Sequence, residues 1–294
     1  MILRSTLFAP ATHARHVEKA LAGEADGVIL DLEDAIAIAE KAEARLAARR
    51  ALAARGAGGP RVYVRVNGLT TPFAYDDLRT VVTSGLDGVI LPKVESANQL
   101  ATLDWLLTQL ERAAGLAEGG IEVTPIIETA LGLARIAEIA TASARVTRLN
   151  FGAGDFSLDT NMTWTAGHEG ILWARTQVVV ASRAAGLEPP LDTVYARLDD
   201  HEGFQREAEQ ALRLGFQGKA CIHPSQVVIA NDVFSPSASE VERAREIVAA
   251  FESAEAAGVA SIRLGGQFID YPVAARARRT LDVAARIAQR AEAT

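Results

Sequence analysis

The sequence predicts an α/β chain folded as a closed (β/α)8 barrel with a C-terminal helical extension. Three observations carry this. Short aliphatic and β-branched runs alternate with helical patterns, polar groups recur at the ends of those runs about one βα unit apart, and the alternation stops after His223.

Taken in order, strands are expected at 2–9, 27–33, 61–67, 88–94, 122–128, 146–152, 191–196 and 215–222. Helices are expected between them at 11–23, 40–55, 96–114, 131–142, 167–186 and 201–214. Alanine-rich stretches at 42–54 and 274–285 supply strong helix formers. Eight strands, nearly all followed by a helix, suit a closed barrel better than an open doubly wound sheet, which is the alternative. Beyond His223 a helix is expected at 238–257, a break at Gly265-Gly266 and a last helix at 272–291. The linker Phe234-Ser235-Pro236-Ser237 separates them from the barrel, so the division expected is 1–230 for a catalytic barrel and 231–294 for an extension or lid.

The composition narrows the class. Of 294 residues, 49% are apolar and 23% charged, ample for a core. A net charge of −7 argues against nucleic-acid binding. No apolar run approaches the roughly 18 residues of a membrane span. The N-terminus lacks the features of a signal peptide, and the single cysteine, Cys221, fits a reducing compartment, so a cytoplasmic protein is expected. An acidic chain that binds an acidic ligand must concentrate positive charge locally, through basic side chains, a metal or backbone amides.

The strand ends show where. They carry Asp31-Leu32-Glu33-Asp34, Arg65-Val66-Asn67, Lys93-Val94-Glu95, Glu128-Thr129, Gly152-Ala153-Gly154-Asp155 and His223. The steps from 34 to 65, 93, 128 and 155 are 31, 28, 35 and 27 residues, so the groups fall on neighbouring strands. In a barrel those ends share the face that carries active sites. Alternation further places Asp31 with Glu33, Arg65 with Asn67 and Lys93 with Glu95. Clustered carboxylates repel and resist burial unless a cation offsets them. Glu128 and Asp155, on adjacent strands, are the best ligand pair. Oxygen donors without histidine or cysteine favour a hard ion, Mg²⁺ or Mn²⁺, over zinc. The turn at Gly152, Ala153, Gly154 and Asp155 can aim several amides at a carboxylate or phosphate.

These motifs, in this order, resemble those of the citrate lyase β-subunit-like group of the HpcH/HpaI aldolase superfamily. The likeness runs from Arg4-Ser-x-Leu-Phe-x-Pro10 through the strand ends above to Gly218-Lys-x-Cys-Ile-His223-Pro224 and Phe268-Ile-Asp270-x-Pro272. It implies a Mg²⁺-dependent TIM barrel that makes or breaks a carbon–carbon bond in a 3-hydroxyacyl thioester such as a citryl, malyl or citramalyl thioester, on CoA or an acyl carrier, with a 2-oxo acid as the other partner. It implies Glu128 and Asp155 as metal ligands, Arg65 as a catalytic substrate contact, and Glu33, Lys93 and the Gly152 turn as substrate-binding groups. Arg4 and Lys41 become candidates for a thioester or phosphate contact, and a homotrimer or hexamer is expected. Asp270 has two readings: a lid acid/base, by the resemblance, or the N-cap of the last helix, from Tyr271-Pro272. His223, Cys221, Phe151, Trp164 and Trp173 are read as packing or rim residues. A metal-dependent aldolase on free hydroxy-oxo acids, a Schiff-base aldolase using Lys93, an acyl-CoA thioesterase and a non-enzymatic carrier-binding subunit are the alternatives. The stretch Asp159-Thr-Asn161-Met-Thr-Trp164 departs from the family pattern.

Overall fold

The computed structural model describes residues 2–293 apart from 57, 164, 166 and 168. Eight parallel strands close into a barrel in sequence order: β1 Ser5–Pro10, β2 Gly27–Asp31, β3 Arg61–Arg65, β4 Gly88–Leu91, β5 Glu122–Ile127, β6 Asn150–Phe151, β7 Leu191–Asp192 and β8 Gly218–Cys221. β8 returns to β1 through Thr6↔Ala220, which leaves no open edge. The helices in chain order are α1 Ala14–Leu21, α2 Lys41–Ala54, α3 Ala74–Val81, α4 Ala97–Ala113, α5 Ala130–Ala134, α6 Ile136–Ala140, α7 Ala153–Asp159, α8 Leu172–Ala184, α9 His201–Leu214, α10 Pro224–Val233, α11 Ala238–Ala256 and α12 Tyr271–Ala293.

The barrel follows from alternation. Leu3, Ile29, Tyr63, Ile90, Ile126 and Leu191 form one buried cluster with Phe8 packed against it. Tyr63 needs Gly88 beside it, because a Cβ there would stand 2.8 Å from the ring. Buried ion pairs brace the shell: Arg175 of α8 grips Asp192 at 3.0 and 2.9 Å, and Lys219 donates to the same carboxylate at 2.8 Å.

Several expected elements differ. The helix expected at 131–142 is two, α5 and α6, broken at Arg135. The strands expected at 146–152 and 191–196 shrink to two residues each, and the helix expected at 167–186 starts at Leu172. α3, α7 and α10 were not expected at all.

The chain divides into two compact units, one of Leu3–Asp232 and one that begins at Val233. The second has its own core of Ala244, Ile247, Phe251, Ile269, Ala274 and Ala277. Ser237 and Glu240 cap α11 reciprocally. The expected break at Gly265-Gly266 is the two-residue turn of a β-hairpin, β9 Ile262–Leu264 with β10 Gln267–Ile269, and positive φ of 57° and 83° explains both glycines. Among the described residues no helix is long and apolar enough to cross a membrane.

Candidate active site

Polar strand ends gather at the C-terminal mouth of the barrel. Ile29 belongs to the buried cluster, so Asp31 follows on its side of β2, and Tyr63 and Arg65 repeat the relation on β3; Glu33 and Glu128 lie just past the ends of β2 and β5. Arg65 donates to the two Asp31 oxygens at 2.7 and 2.6 Å, its third nitrogen lies 3.1 Å from Glu33, and its guanidinium sits 4.8 Å from the Phe8 ring centroid. Burial by itself would lower the Arg65 pKa, but the bond to Asp31 and the charges of Asp31 and Glu33 override it and raise it. The converse holds at Asp31, where burial pushes up and Arg65 pulls the carboxyl below its ordinary range. This guanidinium is charged and held in place before any ligand arrives.

Lys93 is built on strained backbone. Its φ of 52° is left-handed, a conformation that costs a non-glycine residue about 1–3 kcal/mol. The turn aims the Lys93 N–H at Glu128 Oε1, 2.8 Å away. Its ammonium donates to Glu33 at 2.6 Å and stands 3.7 Å from both Asp34 and Asp155. Burial opposes the Lys93 charge, but the Glu33 bond and the nearby carboxylates win and raise its pKa. Glu33 is itself raised by burial, an effect Arg65 and Lys93 only partly offset.

Glu128 is the most perturbed acid at the mouth. It is 3% exposed, and its pKa is pushed up to about 8, first by burial and then by the charge of Asp155. Its carboxylate lies against Gly152: an added Cβ there would come within 2.5 Å of Oε2 and 2.8 Å of the Glu128 Cβ. Asp155 stands in the first turn of α7, 34% exposed. Two carboxylates close enough to perturb each other, one of them nearly buried, repel, and the Lys93 ammonium beside them is shared with Glu33 and Asp34. Their all-oxygen donors fit a hard divalent cation. Among the described residues no group of three or more His, Cys, Asp or Glu forms a metal-binding cluster, so the ion would take only part of its coordination from these two side chains.

Several expectations need correction. Two of the four amides expected to cradle an anion are committed, Gly152 to the Ile127 carbonyl at 3.1 Å and Ala153 to Thr193 Oγ1 at 2.9 Å, which narrows the cradle to Gly154 and Asp155. Lys93 pairs with Glu33 and not with Glu95, because β4 ends at Leu91 and strand alternation does not extend into the turn. Lys41 is buried and donates to the carbonyls of Leu32 and Glu33 at 2.8 and 2.6 Å, so it braces the loop that carries Glu33. Arg4 precedes β1 at the opposite end of the barrel and grips Asp26 at 2.9 and 2.8 Å. His223 is exposed, its ring nitrogen 2.9 Å from Ser225 Oγ. Cys221 and Phe151 are core residues, whereas Trp173 is 66% exposed and Trp164 lies outside the described residues. Asp270 accepts from the Val273 N–H at 3.2 Å, the N-cap bond of α12. Thr193 carries no charge to mark it in sequence, and its only signal there is its place just past Asp192 at the end of β7.

Known proteins resemble the chain over most of its length. The family model for HpcH/HpaI aldolase/citrate lyase matches residues 4–224, and one for a C–C bond lyase of the TIM-barrel fold matches residues 177–286. The citrate lyase subunit beta of Leuconostoc mesenteroides subsp. cremoris is 37% identical over 96% of this chain and 93% of its own length. An L-malyl-CoA/beta-methylmalyl-CoA lyase of Cereibacter sphaeroides is 38% identical over 91% and 90%. The crystal structure of CitE from Mycobacterium tuberculosis in complex with magnesium, acetoacetate and coenzyme A superposes with a TM-score of 0.78 at 31% identity, covering 97% of this chain and 98% of that one. A citrate lyase beta subunit from the same organism, complexed with oxaloacetate and magnesium, gives 0.67 at 32% identity over 80% of this chain and 98% of that one. The chain is a carbon–carbon lyase and belongs to the HpcH/HpaI aldolase/citrate lyase family.

Proposed function

We propose that the chain cleaves, or in reverse forms, the carbon–carbon bond of a 3-hydroxyacyl thioester of the citryl, malyl or citramalyl type, with Mg²⁺ held by Glu128 and Asp155. The observation that carries this is the buried Glu128 carboxylate, raised to about 8 beside Asp155 at the barrel mouth. The magnesium, oxo acids and coenzyme A bound by the related CitE proteins support it, as do the malyl-CoA lyase relatives.

When bound, Mg²⁺ supplies Lewis-acid polarisation of the oxygen on the reacting carbon. The chain's own residues do the remaining work. Arg65 has five N–H groups, of which the hydrogen bonds to Asp31 use two, so others remain for the charge that develops on the acyl thioester as the bond breaks. Asp31 and Glu33 orient that guanidinium beforehand, so little reorganisation accompanies the reaction. The Gly154 and Asp155 amides suit the carboxylate of the departing 2-oxo acid, and Lys93 adds a positive charge beside them. By the family resemblance Asp270 exchanges the proton on the thioester α-carbon, CoA or a carrier bears the acyl group, and the active assembly is a homotrimer or hexamer.

The test is product analysis with malyl-, citramalyl- and citryl-CoA. With Mg²⁺ present, one of them yields a 2-oxo acid and an acyl-CoA in equal amounts with no free thiol, and a chelator stops the reaction. Free thiol without oxo acid would replace cleavage by hydrolysis, and turnover unaffected by the chelator would remove the metal from the mechanism.

A further inference from the structure

We infer that Thr193 is a positioning residue for the proposed ion site: its hydroxyl fixes α7, and through α7 Asp155, against Glu128, with Asp159 as a second tie at the far end of the same helix. The inference rests on the reading of Glu128 and Asp155 as the ion's ligands.

A helix of seven residues does not hold its own place, since so few hydrogen bonds barely offset the cost of nucleation. α7 is tied from outside at both ends. At its start the Ala153 N–H, a donor that the first turn cannot satisfy internally, meets Thr193 Oγ1 at 2.9 Å in a buried bond. At its end the Asp159 carboxylate accepts from the Ala130 N–H at 2.7 Å, two residues beyond Glu128. One helix therefore links the end of β7 to the end of β5, and the ligand it carries lies between the two ties. Asp159 also opens the stretch of sequence that departs from the family pattern.

Thr193 is in turn anchored. Lys219 is fully buried, and its ammonium donates to the Thr193 carbonyl at 2.7 Å, to Asp192 at 2.8 Å and to Glu207. A buried ammonium is tolerated only where its donors are satisfied. Here one of those donors immobilises the peptide whose side chain receives Ala153. Valine would fill the same volume, so the hydroxyl is required as an acceptor and not as packing. Without it the Ala153 N–H is buried with no partner, and the start of α7 is free to shift toward solvent.

The experiment measures Mn²⁺ binding to the full chain by electron paramagnetic resonance, alongside thermal melting. Thr193→Val is expected to weaken Mn²⁺ binding ~10-fold or more, as loss of an outer-sphere partner does, whereas Thr193→Ser keeps the acceptor and stays near the parent. Asp159 is exposed, so its alanine variant is expected to keep the fold; Asp159→Ala is expected to weaken binding and Asp159→Asn, which keeps an acceptor, to restore it. Glu128→Gln is the control for the site itself and abolishes binding. Parent-like affinity in Thr193→Val, with Glu128→Gln inactive in binding, overturns the positioning role while the ion site stands. Equal losses in the valine and serine variants also overturn it, because the hydroxyl is then not what matters. Should Thr193→Val fail to fold, the Asp159 pair decides, and unchanged affinity in Asp159→Ala overturns the inference. Undiminished binding in Glu128→Gln removes the ion site and the positioning role together.

Discussion

Replacing Glu128 by glutamine sets stability and ion binding against each other, because it removes a charge and almost no volume. The amide oxygen can still accept from Lys93 N–H, which lies 2.8 Å from Oε1. In the ion-free chain the carboxyl is pushed from its ordinary 4.5 to about 8, mainly by burial. Between those values the folded state holds a proton that the unfolded chain has released. The carboxyl therefore costs nothing below about 4.5 and becomes steadily more unfavourable as the pH rises to about 8. At pH 7 the shift amounts to about 3 kcal/mol, an upper bound because the amide needs polar company too. For a unit the size of this barrel that is roughly 5–10 °C in Tm. Calorimetry in a chelator from pH 5 to 8.5 is expected to show the glutamine variant melting above the parent at high pH, with the gap closing toward pH 5. Saturating Mg²⁺ closes the gap: at a hundred times Kd it stabilises the parent by ~2.7 kcal/mol, about the size of the pH 7 deficit, and leaves the variant unmoved. Identical pH profiles in the chelator, or equal stabilisation of both proteins by Mg²⁺, would refute the reasoning.

Gly152→Ala brings a methyl within 2.5 Å of Glu128 Oε2, so the carboxylate must move; a stability loss of ~1–3 kcal/mol and weaker Mn²⁺ binding are expected, and parent-like values in both would dismiss the close approach. Asparagine caps helices as well as aspartate does, so Asp270→Asn is expected to keep the melting temperature but lose proton exchange at the thioester α-carbon, whereas Asp270→Ala also loses about 1 kcal/mol. Full exchange in Asp270→Asn would leave the residue as a cap alone. The Cys221 thiol is pushed up to about 12 by burial, so a thiol-reactive dye at pH 8 is expected to label nothing in the native chain and Cys221 once denaturant is added. Rapid native labelling would contradict its place in the core.

The barrel was legible because its signals are long-range and redundant: eight apolar runs at regular spacing, each with a polar end. What was not legible lies where local chemistry overrides pattern. Pro224 looks like a breaker but occupies the first position of α10, where a missing N–H costs nothing. The glycines before Asp155 suggest an open loop, yet the chain turns there into α7 with an acid in its first turn, which the helix dipole favours. The charges Arg4 and Lys41 cannot be sorted from sequence, because a basic side chain on a barrel serves a ligand, a carboxylate or a carbonyl equally well until its partner is seen. Lys93 shows the limit of alternation, for one left-handed residue redirects both its ammonium and its amide.

Charge balance at the mouth bears on the proposed ion as well. Asp31, Glu33, Asp34, Glu128 and Asp155 bring five acids to one region, and Arg65, Lys93 and the bracing Lys41 bring three bases. With all five acids ionised, as they are once Glu128 gives up its proton to an ion, the surplus within this set is two negative charges. An anionic oxo acid entering such a mouth would meet net repulsion, strengthened by the low dielectric that burial creates. More lysine would answer the repulsion but not the geometry, since an ammonium offers donors and cannot gather carboxylate, carbonyl and water oxygens around one centre. A divalent cation cancels the surplus and supplies that centre, so ion before anion is the order of binding that the charges favour.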